Sequence, residues 1–176
     1  MIDFARVYDI HAQARAKLFD RIRPLGQEQY TREFPFAHRS LRATLHEIAT
    51  TEWWLAARLR EEPMPRPFSW EDLPINQHAT FAELERAWTE QAPRTRATLA
   101  DLTDLDKVVE SRMYGRKRVR ILRTTKRVIA TQLLLHEVHH RAQAMAMLRH
   151  LGVEAQDLDY IYFLQDERVE EITSGS

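Results

Sequence analysis

The sequence predicts an all-α protein: a four-helix bundle with a short β-hairpin insertion and a short C-terminal helix. Apolar residues recur at helical steps over four long segments. Only four glycines punctuate the 176 residues, and each follows or interrupts a patterned segment or lies in the tail. A single stretch, 107–123, switches to the alternation of strands.

Each element has its own signal. The first run covers 4–22, with Phe4, Val7, Tyr8, His11, Ala14 and Leu18 on one stripe, and "RPLG" at 23–26 ends it. The second covers roughly 38–61, carried by Leu41, Leu45, Ile48, Leu55 and Leu59. Pro63, Pro65 and Pro67 then impose an extended linker. The third run starts at Thr80, which forms a capping box with Glu83. Phe81, Leu84, Trp88, Thr95, Leu99 and Leu102 continue it, and Pro93 is expected to kink or split it. Val109 and Met113 share one strand parity, as do Val119 and Ile121; they flank "YGRK", which predicts a hairpin turning near Gly115. The fourth helix runs from about Thr124 to Leu151 and stops at Gly152. "DLDYIYFLQDE" at 157–167 reads as a short helix docking through Tyr160, Phe163 and Leu164. Residues 1–170 are expected to form one domain and 171–176 a flexible tail.

Composition narrows the function classes. Lys plus Arg and Asp plus Glu both count 26, so no basic excess points to nucleic acid. There are no cysteines, which excludes disulfides and Cys-ligated zinc, so any metal must be held by nitrogen and oxygen. No run approaches the roughly 20 apolar residues of a membrane span, and residues 1–20 lack a signal-peptide core. The expected address is the cytoplasm, with no membrane partner. Segment 107–127 carries nine Lys or Arg and one Glu; an anionic-partner site is weighed there against a solvated hairpin, which is preferred.

"HEVHHRAQ" at 136–143 concentrates the chemistry. His136 and His140 are four residues apart, so both project from one helix face. Their stripe is otherwise apolar, and two buried imidazoles need partners that a divalent cation would supply. With eight histidines in the chain, spacing alone leaves a metal pair and ordinary core histidines equally open. His139 lies about 100° away and is read as a surface or supporting residue. His46 is the candidate third ligand and His11 has the same status; a satisfied interhelical histidine is the plain alternative for both. "HEVHH" also satisfies HExxH, the pattern of zinc peptidases with Glu137 as general base. No strand-rich segment precedes the helix, which counts against that reading.

Several segments together carry a family likeness. "LLHEVHHRAQAMAMLRHLG", "DLDYIYFL", "LRATLHEIATTEWWLAARL" and the hairpin "MYGRKRVRI" resemble, in this order and spacing, DinB/YfiT-like proteins. The resemblance implies a four-helix bundle with a metal bound by three histidines, here His46, His136 and His140. Ala142 departs from the glycine usual in the motif. It also implies a homodimer and activities that include thiol-dependent transfer with a low-molecular-weight thiol; three neutral imidazoles would suit a divalent ion such as Zn, Ni or Fe. Trp53 and Tyr114 are expected to line the pocket of a small-molecule substrate. The expected function is thiol S-transfer or hydrolysis with the metal as Lewis acid; the alternatives are an HExxH peptidase and a non-catalytic metal-binding or stress-response bundle.

Overall fold

The computed structural model describes residues 2–64, 68–70, 73, 78–115, 117–154 and 156–165. Helix α1 (Phe4–Ile22) is followed by a short α2 (Gln27–Thr31), which the sequence reading did not anticipate. Then come α3 (Leu41–Leu59), α4 (Phe81–Ala100), strands β1 (Val108–Tyr114) and β2 (Val119–Thr125), α5 (Lys126–His150) and a 3-10 turn at Tyr160–Phe163.

The long helices stop and start where side chains satisfy their terminal amides. Asp3, Ser40, Thr80 and Thr125 each accept a bond from the amide three residues on. Thr80 and Glu83 form the expected reciprocal box. At the end of α5, Gly152 takes φ +76°, and Val153 N–H reaches Leu148 O at 3.0 Å. This is the left-handed exit that favours glycine.

Helices α1, α4, α3 and α5 pack as a ring in that order, each against two neighbours. One apolar cluster centres on Leu18, Leu45, Leu84 and Leu148, a second on Tyr8, Leu55, Ile129 and Leu133. Buried polar groups occupy the middle. Arg15 donates to Glu52 (3.0 Å) and to Glu137 (2.7 and 3.2 Å), and its guanidinium lies 4.2 Å from the Trp88 ring centroid. Glu52 also accepts from Tyr8, Trp88, Gln91 and Thr95. One arginine on α1 thus touches all three other bundle helices.

The hairpin is antiparallel, with Val108 opposite Thr125 and Tyr114 opposite Val119. Val109 and Met113 are buried, whereas Val119 and Ile121 lie on the exposed face. Five cations of the basic segment already have carboxylate partners: Lys107 and Lys126 on Glu61, Arg112 and Arg123 on Glu110, and Arg127 on Asp106. That supports the solvated-hairpin reading.

Three expectations need correction. Pro93 does not split α4. Trp88 and Thr95, on either side of it, are buried and both bond Glu52, so each half is tied to the core independently of the lost amide. The second helix begins at Leu41 rather than 38, because residues 37–39 form a loop with two left-handed residues. The expected short C-terminal helix is a 3-10 helix over Tyr160–Phe163, but Tyr160 (42% exposed) and Leu164 (45%) face outward rather than docking. Phe163 packs on the core as expected, joined by Leu158. Residues 166–167 and the expected tail at 171–176 lie outside the described residues.

Replacing Arg15 by Met should cost about 3–5 kcal/mol, because two buried carboxylates lose their cation; urea unfolding measures this. Acid should also unfold the protein through His11. Burial pushes its pKa from 6.5 down to about 4, with Glu137 opposing and Arg141 and Arg15 adding to the fall. The unfolded chain therefore takes up this proton first. The contribution is fully present above pH 6.5 and lost between 6.5 and about 4. His11→Phe should flatten the stability–pH profile across that window.

Candidate metal centre

Helix α5 is turned so that consecutive residues serve opposite sides. Glu137 and Arg141 face the core: Glu137 is buried, bonded twice by Arg15 and once by Arg141 (3.4 Å). His136 and His140 lie on the side that meets α3, their ring centroids 4.4 Å apart. Across the seam, Glu47 Oε1 stands 3.5 Å from His136 Nε2. Thr51, one turn along α3, donates its hydroxyl to the same oxygen at 3.2 Å.

A third element completes the cluster. The loop before α3 carries His38 between Ala37 (φ 49°) and Arg39 (φ 67°), two non-glycine residues in the left-handed region. That conformation costs on the order of 1–2 kcal/mol per residue. The loop is held by Phe34 N–H to Arg39 O, and by Phe34 and Phe36 rings packed around His150 at the end of α5. It presents His38 to His140, ring centroids 4.8 Å apart. One ligand atom each from His38, Glu47 and His140 lies within 4.8 Å of the others.

The protonation states suit a cation. The Glu47 carboxyl sits below the ordinary range, first through its hydrogen bond with His136; burial opposes this, and His38 and Thr51 add to it. The His140 imidazole is pushed down, first by burial and then by its histidine neighbours, against the hydrogen bond to Gln143. An ionised carboxylate and a neutral imidazole are the forms that ligate. The donor set is nitrogen and oxygen, as a cysteine-free chain requires, and suits Zn, Ni or Fe.

Gln143 sets the tautomer. Its Oε1 lies 2.7 Å from His140 Nδ1 and its Nε2 lies 3.0 Å from His139 Nε2. An amide oxygen accepts only, so His140 Nδ1 carries the proton and Nε2 keeps its lone pair. His139 supports the site through the glutamine.

The expected residues are distributed as follows. His136 and His140 come together, with Glu47 and His38. His46 is buried on α3 and lies outside that group. His11 is buried beside Glu137, its Nδ1 4.0 Å from Oε2. Trp53 lines clefts of about 320 and 220 Å³ between α3 and α4, with Gln91 and Glu90. Tyr114 lines a cavity of about 180 Å³ beside Glu61 and Glu110. None of these three cavities includes the histidine cluster. Sequence reasoning did not select Glu47, Arg15 or Glu52 for the site. A charged residue on the stripe of Tyr8, His11 and Leu18 was the available sign of Arg15.

Comparison with protein-family profiles matches residues 1–172 to the DinB family. The chain belongs to the DinB family. Among curated proteins, none matches it closely enough to count as a relative. In this DinB protein, no helix among the described residues is long and apolar enough to cross a membrane.

Gln143→Leu should lower divalent-metal affinity by about 10–100-fold by releasing the His140 tautomer, read by competition with a chromogenic chelator. Gln143→Glu, which still accepts from Nδ1, should recover most of it.

Proposed function

We propose that this DinB protein holds a divalent ion at the α3–α5 seam and acts on a small molecule, as a thiol S-transferase or hydrolase. The observation that carries this is the convergence of His38, Glu47 and His140, with His136 Nε2 3.5 Å from the same carboxylate. When bound, the ion would supply Lewis acidity, polarising an oxygen or lowering the pKa of a low-molecular-weight thiol.

The protein's own contribution is placement and protonation. Thr51 and His136 hold the Glu47 carboxylate, and Gln143 holds His140 with Nε2 available. His38 is exposed, and it gives the cluster an edge that a small molecule can approach. The peptidase reading gains no support, since the Glu137 carboxylate that would act as base is occupied by Arg15 and Arg141.

Helical phase favours Glu47 over His46 as the α3 ligand, and metal content decides between them. Protein purified without chelator should carry stoichiometric metal. Glu47→Ala and His140→Ala should lose it, and His46→Ala should keep it. The reverse pattern for Glu47 and His46 would restore the three-histidine set; no metal in the parent protein would end the proposal. A panel of low-molecular-weight thiols with electrophilic acceptors then separates transferase from a non-catalytic metal-binding bundle.

A further inference from the structure

Among the described residues, three arginines are buried: Arg15, Arg58 and Arg141. Arg15 and Arg141 both reach Glu137. Arg58, 6% exposed, has no carboxylate within ion-pair distance among the described residues. Its Nε donates to Ser111 Oγ at 3.0 Å, and its guanidinium lies 4.9 Å from the Trp54 ring centroid. A buried guanidinium without a counter-charge is costly, and neither a hydroxyl nor a ring face supplies one.

Beside it stands a second buried donor. Trp54 Nε1 is buried and has no hydrogen-bond partner among the described residues. The Trp54 ring meets Trp70 edge-on at 5.4 Å, and Trp70 meets Phe68 at 4.7 Å. Buried donors therefore cluster against an aromatic wall, and among the described residues Ser111 Oγ is the one acceptor that meets them. Oxygen-rich anions satisfy donors of this kind, and the planar fork of arginine suits them.

Position links the pair to the metal cluster. Glu47, Thr51, Trp54 and Arg58 follow at steps of four, three and four, so they share one stripe of α3. Eleven residues separate Glu47 from Arg58, about 16 Å of helix rise. A long arginine side chain leans back toward the helix N-terminus and shortens that span. The carboxylates that line a cavity with Ser111, on Glu61, Glu62 and Glu110, are each paired with another cation.

We propose that Arg58 and Trp54 form an anion-binding subsite for a carboxylate, sulfonate or phosphate group of the substrate, whose reacting end reaches the Glu47–His140 cluster. The link to a reacting end rests on the metal-centre reading; the anion site itself does not. The substrate class follows: an elongated small molecule with an anionic group remote from the bond that reacts.

The test is thermal unfolding of the full chain with inorganic phosphate, sulfate or succinate against chloride at matched ionic strength. The parent protein should gain melting temperature with the oxyanions over chloride. Arg58→Met should abolish that gain while melting higher than the parent without oxyanions, since a buried uncompensated charge is gone. Trp54→Phe keeps the ring and loses one donor, and should weaken oxyanion affinity roughly tenfold. The same titration in Glu47→Ala separates the two readings: the oxyanion response should persist there even if metal is lost. No response in the parent, an undiminished response in Arg58→Met, or a response lost in Glu47→Ala but kept in Arg58→Met would overturn the proposal.

Discussion

A guanidinium at the centre of the bundle fixes the rotation of the helices around it. Arg15 is held between the carboxylates of Glu52 and Glu137 and lies against Trp88, so one side chain ties α1 to α3, α5 and α4. The apolar core lies in two clusters, and this polar group sits between them. Burying these charges is not a source of net stability, because desolvation offsets most of the attraction. Its effect is specificity: any other rotation of α3 or α5 would strand a carboxylate in apolar surroundings.

The candidate metal cluster follows from that constraint. With Glu137 and Arg141 committed to the core, His136 and His140 must face α3. With Glu52 pointing inward, residues on α3 are sorted by helical phase. Glu47 falls about 140° to one side of Glu52 and His46 about 120° to the other. Glu47 accordingly meets His136, while Trp53, on the His46 side, lines the clefts against α4. The same sorting places Thr51, Trp54 and Arg58 on the Glu47 side. The polar interior and the seam chemistry are therefore two faces of the same helices.

Much of this was legible from the chain alone. The four bundle helices, the box at Thr80 and Glu83 and the hairpin around Gly115 rest on local chemistry, and local chemistry is written in neighbouring residues. The His136–His140 pair was visible for the same reason, since one helix supplies both members. Pro93 misled because a lost amide is a local penalty, and two tertiary bonds to Glu52 override it. The C-terminal segment misled because Tyr160 and Leu164 look like anchors, yet a single turn leaves them outside.

The sequence by itself determined the helices, their order, the nitrogen-and-oxygen donor chemistry and one side of the candidate site. Tertiary structure alone decided what stands opposite. Helix α3 is buried on nearly every side, so its apolar pattern marks no single inward stripe and cannot choose between His46 and Glu47. That choice depends on which way Glu52 turns, and so on an arginine 37 residues earlier in the chain. His38 belongs to the cluster only because a strained loop is pinned to the far end of α5. Periodicity describes one helix at a time; a site shared between helices is set by how each is rotated against the others.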